Sequence, residues 1–376
     1  MTGRRGLDGL DGQGGRGGFD GDPPEARDRP PSPLPVDSLD MWGLAASLPE
    51  QVADALTAAY DAPLPSRGAV DQVMAIGMGG SGIAGDVAAA ATATRLRVPF
   101  TVVKSYDPPA SVGPGTLVFA VSCSGDTEET VAASTVCWEA GATVVVVAGG
   151  GELTRLAQSA GAPVVPVPAD IPQPRAAIGA MSIPPLVLLG RLGLVEDQRS
   201  RIEATVEQLA RRRDRLVGAG SPAQAVARRI GRTFPLVHGS PGLGGVAAQR
   251  WKCQVNENAK APAFWSVHPE LCHNEVAGWG QSGDVTRQIL TLVALRHSGE
   301  HPQVAARFAL VTELLREVVA DVVEVWAEGQ DDLAQLFDLV LFGDFVSLHL
   351  AGNEGIDPGP VPVLGELKAQ LAGPPG

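Results

Sequence analysis

Two short stretches decide how this chain reads: Ile76-Gly-Met-Gly-Gly-Ser-Gly-Ile-Ala-Gly-Asp86 and Val121-Ser-Cys-Ser-Gly-Asp-Thr-Glu-Glu-Thr130. Each follows an apolar, strand-length run and opens into a helix-length segment. At such a junction backbone N–H groups converge and the helix dipole favours an anion. In the first, Gly77, Gly79 and Gly82 satisfy GxGxxG, the dinucleotide fingerprint. A dinucleotide site also needs an acid about 20 positions on, at the end of the second strand. Here that strand ends in Lys104, which removes most of the weight from a nicotinamide reading. In the second, Ser122, Ser124 and Thr127 place three hydroxyls in one turn beside fresh amide donors. Such a turn suits the terminal oxygens of a phosphate monoester, with Gly80 and Ser81 as companions on the neighbouring strand end. A capping box with Thr127 as N-cap is the alternative, and it leaves Ser122 and Ser124 without a task.

Working outward, strands are expected at 70–76, 100–104, 116–122 and 144–148, separated by helix-length segments. A Pro-rich connector at 163–174 precedes a helix at about 175–192, and 197–217 reads as a charged amphipathic helix, a solvated face or a strut. The alternation then restarts, with strands at 234–238, 290–295 and 322–326, a helix holding Arg250 and Trp251, and another at 303–319. This predicts an α/β chain with two parallel sheets flanked by helices. The divisions are 1–36, a Gly/Pro-rich tail with too little apolar surface to order itself, then 37–196, a connector at 197–222, and 223–376.

Length and composition bound the function. The 376 residues are 44% hydrophobic but only 5% aromatic, so Ala, Val, Gly and Leu carry the packing. A formal charge of −13 argues against a general nucleic-acid binder, which needs a basic face. Four scattered cysteines show no CxxC pair, and no His/Cys/Asp cluster has metal-ligand spacing. No run of about 18 apolar residues and no secretory h-region is visible, so the expectation is a cytoplasmic protein without membrane contact.

The two turns together resemble the phosphosugar site of SIS domains, whose usual forms are GxGGSxxAG and SxSGxTxET. Four further places narrow the resemblance: Pro174-Arg-Ala-Ala-Ile-Gly179, Asn256-Glu-Asn-Ala-Lys-Ala-Pro262, His273-Asn-Glu-Val-Ala-Gly-Trp279, and Asp357-Pro-Gly-Pro-Val361 with Lys368 after it. From about residue 40 onward, this order is similar to that of the bifunctional phosphoglucose/phosphomannose isomerases. The resemblance implies two SIS-type subdomains, doubly wound and flavodoxin-like, and a catalytic set of Arg175, Glu257, His273 and Lys368. It also implies hexose 6-phosphate substrates, no cofactor, no metal, and a homodimer in which His273 completes the neighbour's site.

The residue types suit aldose–ketose isomerisation through a cis-enediolate. A carboxylate is a suitable proton shuttle between C1 and C2, which is the role for Glu257. Arg175 supplies fixed positive charge, and His273 and Lys368 serve ring opening. Glu275 and Trp279 are expected to shape the pocket, and Lys260 to pair with an acid. Taken singly each has a plainer reading: a solvated helix acid, a structural histidine, a helix-starting arginine, a solvated lysine. Two departures stand out. Asp126 puts a negative charge beside the phosphate turn, and Gly359 lacks the hydroxyl usual at that place. They support the rival reading, a phosphosugar-binding regulatory protein with little or no turnover.

Overall fold

Continuous β-branched runs such as Thr143–Ala148 can be satisfied only by strands covered on both faces, and the chain builds two all-parallel sheets from them. The computed structural model describes residues 29–66 and 68–371. Helices α1 (Met41–Ala46) and α2 (Leu48–Asp61) precede β1 (Gln72–Ile76), α3 (Gly79–Thr92), β2 (Phe100–Val103) and β3 (Thr116–Ser122). Next come α4 (Glu128–Glu139), β4 (Thr143–Ala148), α5 (Gly151–Ala160) and β5 (Val164–Pro166). A 3-10 turn, Pro174–Ala177, leads into α6 (Ile178–Arg191), α7 (Arg199–Leu216) and α8 (Pro222–Ile230). The second unit runs β6 (Phe234–Gly239), α9 (Leu243–Asn258), β7 (Phe264–Val267), and 3-10 turns at Glu270–His273 and Glu275–Gly278. It closes with α10 (Gly283–Ile289), β8 (Leu290–Arg296), α11 (Pro302–Leu315), β9 (Asp321–Trp326), α12 (Asp332–Asn353) and α13 (Pro362–Leu371).

The first sheet has the order β2-β1-β3-β4-β5 and the second β7-β6-β8-β9. Both are doubly wound, so the chain reverses direction between β1 and β3, and again between β6 and β8. Ligand crevices of such sheets open at those reversals, outside the carboxyl ends of the strands. Alternate residues of each sheet face opposite layers. Val73, Ala75, Leu117, Phe119 and Val145 join a core shared with α2, α3, α6, α9 and α12. On the opposite face of that sheet, Met74, Val118 and Val144 pack under α4 and α5. Val237, Val293 and Val323 of the second sheet reach the same central layer, so one core links the two units.

Several expectations shift. The tail boundary moves: residues 1–28 lie outside the described residues, whereas 29–36 are anchored. Arg29 bonds to Asp40 at 3.1 Å, Ser32 to Asp37 at 2.8 Å, and Leu34 packs on the core. The connector at 163–174 contains strand β5, and β7 lies between the quoted motifs at 256–262 and 273–279, where no element was expected. Of the two readings of 197–217, a solvated face or a strut, helix α7 is packed on one side, burying Ile202, Thr205, Leu209, Arg212 and Leu216. Helix α12 is long and apolar enough to cross a membrane by composition, but that window is wholly buried in the protein. All four cysteines are free thiols.

Under α7, the Asp338 carboxylate is fully buried, 3.0 Å from Arg212, and accepts from the Glu328 amide. Burial pushes it up to about 6 against the opposing pull of Arg212. The native state therefore takes up a proton at a pH where the unfolded chain does not, so this group adds stability as pH falls through 6. Between pH 7 and 5 the gain is about 1 kcal/mol. Thermal melts of wild type and Asp338→Asn should diverge in favour of wild type over that interval. A gap that narrows would contradict the assignment.

Candidate active site

The reversal point of the first sheet sets the site. Ile76 and Ser122 end adjacent parallel strands, so the two turns that follow them lie side by side. In the first turn, α3 opens at Gly79, and the Gly79 and Gly80 N–H groups have no acceptor within the helix. Gly80 lies directly on the 3-10 turn: a Cβ there would fall 3.0 Å from the Pro174 carbonyl oxygen and 3.1 Å from the Arg175 backbone. Ser81 joins the turns, its Oγ accepting from the Cys123 amide at 3.3 Å.

In the second turn Ser122 is fully buried. Its Oγ accepts from the Gly125 amide at 3.0 Å and pairs with Thr127 Oγ1 at 2.9 Å. Ser122 thus holds the turn's shape from beneath, while Ser124 and Thr127 reach the cavity wall. Thr127 is the N-cap of α4, yet its side chain makes no capping bond, so the capping-box alternative is not what forms. Asp126 turns away: its Oδ1 accepts from the Glu152 amide at 2.8 Å, at the amino end of α5. There the carboxylate meets the positive end of a helix dipole rather than a bound phosphate. Cys123 also faces the cavity, but burial pushes its thiol up to about 11, so it stays protonated and inert.

Facing these turns, Arg175 and Glu257 close a cavity of about 390 Å3, with Gln173 and Glu129 on its walls and α13 above it. That volume lies within the range of small-ligand sites. Gly80, Ser81, Ser124, Thr127, Arg175, Glu257 and Lys368 line this single space. Glu257 sits at the carboxyl end of α9, half-buried, with Oε2 3.4 Å from Arg175 Nη1.

Arg175 is only 2% exposed, and all five of its N–H donors have acceptors. Nε donates to Asn258 Oδ1 at 2.8 Å, and Nη1 donates to Gln173 Oε1 at 2.8 Å and to Glu257. Nη2 donates to the carbonyls of Pro358 at 2.6 Å and Gly359 at 2.7 Å. Burial lowers the guanidinium from its ordinary value, with Glu257 opposing, but an arginine retains its charge. Arg175 is therefore a fixed cation, and it also ties Glu257 to the turn at 357–360. Among the described residues no acid forms an ion pair with Lys260. Its Nζ donates to the carbonyls of Glu257 and Pro358.

His273 stands apart from this cavity. It is exposed on the 3-10 turn after β7, beside the second sheet. Glu275 and Trp279 accompany it rather than lining the cavity. The Glu275 carboxylate accepts from His238 at 2.9 Å and from Ser266, and these bonds hold it below the usual carboxylate range despite burial. Gln173 and Asn258 had no role in the sequence reading. Asn258 stands next to Glu257 in a quoted motif, whereas nothing in the connector marks Gln173.

Gly359 also differs from expectation. A Cβ at this position would meet the Leu39 side chain at 2.8 Å, and residue 359 does not line the cavity. Its missing hydroxyl is therefore replaced by apolar packing from Leu39. Gly359→Thr is expected to destabilise the fold by about 1–3 kcal/mol through overpacking. Urea unfolding checks this, and adding Leu39→Ala should recover most of the loss.

Lys104, at the end of β2 where a dinucleotide site needs an acid, is ion-paired with Asp86 on α3. Known proteins resemble this chain in sequence and in fold. The family model described as the bacterial phospho-glucose isomerase C-terminal SIS domain matches residues 219–371. The bifunctional phosphoglucose/phosphomannose isomerase of Caldicellulosiruptor bescii is 34% identical over 337 residues, covering 88% of this chain and 99% of that one. The enzyme of the same name from Aquifex aeolicus is 33% identical over 297 residues, covering 78% of this chain and 88% of that one. Among solved structures, the C-terminal domain of glucosamine-fructose-6-phosphate aminotransferase from Francisella tularensis superposes with a TM-score of 0.64. It is 14% identical and covers 85% of this chain and 98% of that one, a likeness of fold. With the two turns and the Arg175–Glu257 pair in one cavity and 34% identity over 88% of the chain, the protein belongs to the bifunctional phosphoglucose/phosphomannose isomerase family.

Proposed function

We propose that this member of a sugar-phosphate isomerase family interconverts glucose 6-phosphate or mannose 6-phosphate with fructose 6-phosphate through a cis-enediolate, without a metal. The observation that carries the reading is the single cavity that brings the hydroxyl-lined turns and the Glu257 carboxylate face to face. The phosphate sits on the Gly80–Ser81 and Ser124–Thr127 turns, where amides and hydroxyls supply the donors. Glu257 moves the proton between C1 and C2. Arg175 contributes charge to the developing enediolate from a fixed position; its long 3.4 Å contact to Glu257 is the one that substrate can most readily replace. Lys368, on the exposed helix α13, donates to ring or hydroxyl oxygens.

His273 opens the sugar ring from the partner subunit of a homodimer. Its exposure in the single chain supports this, as do the exposed Phe264 and Trp265 on edge strand β7 just before it. The regulatory-protein alternative loses its two supports, since Asp126 caps α5 and Gly359 faces Leu39.

A coupled assay that follows fructose 6-phosphate from each aldose phosphate, with and without chelator, tests the reaction. Binding of either sugar phosphate with no turnover would return the regulatory reading. Mixing the inactive variants Glu257→Gln and His273→Ala tests the shared site. Random reassortment makes half the dimers mixed, each with one intact site, so activity should recover to about a quarter of wild type. No recovery on reassortment would place His273 outside the neighbour's site.

A further inference from the structure

We propose that Arg250 and Asp344, to which no role in the reaction is otherwise assigned, are positioning residues for the isomerisation. They form a buried clamp that fixes Arg175, and through it Glu257, where the helices of the two units meet. Arg250 lies on α9 two turns before Glu257, on nearly the same face of that helix. It is 1% exposed, and its guanidinium grips Asp344 of α12 in a forked pair: Nε to Oδ1 at 3.1 Å and Nη2 to Oδ2 at 2.7 Å. Nη2 donates a second time, at 2.9 Å, to the main-chain carbonyl of Arg175. Gln254, one turn further along α9, donates to Asp344 Oδ1 at 2.8 Å. Asn258, one turn beyond that, accepts from Arg175 Nε and donates to Ser347 Oγ of α12 at 2.9 Å. Arg175 is thus held twice from the same helix face, by its carbonyl through Arg250 and by its guanidinium through Asn258.

A buried ion pair is a poor stability device, because well-packed apolar residues often replace it without loss. What an apolar pair cannot supply is a donor aimed at the Arg175 carbonyl. That carbonyl belongs to the 3-10 turn between the first sheet and α6, whereas Glu257 belongs to the second unit. The distance between the two active groups is set by this crossing. A misplacement of about 1 Å at reacting groups can cost a hundredfold in rate.

The inference rests on the isomerase reading, and the test keeps the two separate. The coupled assay is run on the full-length protein for wild type, Arg250→Lys and the double variant Arg250→Met/Asp344→Leu, with melting temperatures and calorimetric binding of glucose 6-phosphate. Arg250→Lys retains the charge opposite Asp344 but not the forked geometry, and kcat should fall at least about tenfold with KM within about threefold. The double variant should recover the melting temperature lost by Arg250→Met alone and still bind the sugar phosphate, with kcat remaining low. A double variant that regains wild-type kcat with its stability shows a purely structural pair and overturns the proposal. Should the double variant fail to fold, Arg250→Lys decides alone, and wild-type kcat there overturns it equally. A wild type with no turnover sinks the isomerase reading instead.

Discussion

In the Glu257→Gln variant, fructose 6-phosphate formation is expected to fall by about 10²- to 10⁴-fold while the fold and sugar-phosphate binding survive. The range is that of a positioned general base whose proton transfer is lost. Gln is nearly isosteric and keeps an acceptor for Arg175 Nη1, whose contact to Glu257 at 3.4 Å is its longest. The two hydroxyl-rich turns stand on the opposite wall of the cavity, after β1 and β3, so their donors are untouched. The split is therefore the informative part: kcat collapses, whereas the dissociation constant of glucose 6-phosphate, measured by calorimetry, moves little. Retained turnover would remove Glu257 as the base, and lost binding would show that it anchors substrate instead.

Arg175→Lys is the second large effect, and it separates charge from geometry. A lysine keeps the positive charge but offers three donors from one atom, where Arg175 serves Asn258, Gln173, Glu257, Pro358 and Gly359 with five. At least two buried acceptors lose their partner, at about 1–3 kcal/mol each. The melting temperature should drop. Turnover should fall by about 10²- to 10³-fold, the usual cost of losing a preorganised electrostatic group. The Asp357–Pro360 turn, which leads into the Lys368 helix, loses its hold on the cavity at the same time. Near-wild-type kcat in this variant would mean that positive charge alone suffices.

How much could be read beforehand varied with how local the cause was. The first sheet's inner strands were legible because β3 and β4 are unbroken apolar runs of strand length, as a doubly covered parallel strand requires. Strands β5 and β7 escaped because three or four residues among prolines carry no period. Helix α12 escaped for the opposite reason: apolar on every side, it has no stripe for periodicity to detect. Helix α7 reads from its arginines as a solvated face or a strut, yet Arg212 is buried against Asp338. No pattern within one helix announces a partner on another.

The sequence by itself determined the two hydroxyl-rich turns and their place at strand ends, and it marked Glu257, Arg175 and Lys368 as candidates. Those depend on residues within about ten positions of one another, and on family order. Tertiary structure alone decided what each of them faces. It turned Asp126 to a helix end and Gly359 toward Leu39, and gave Arg175 acceptors from two distant segments beside the nearby Gln173. Direction and partnership come from packing between elements far apart in the chain, and local spacing carries no record of them.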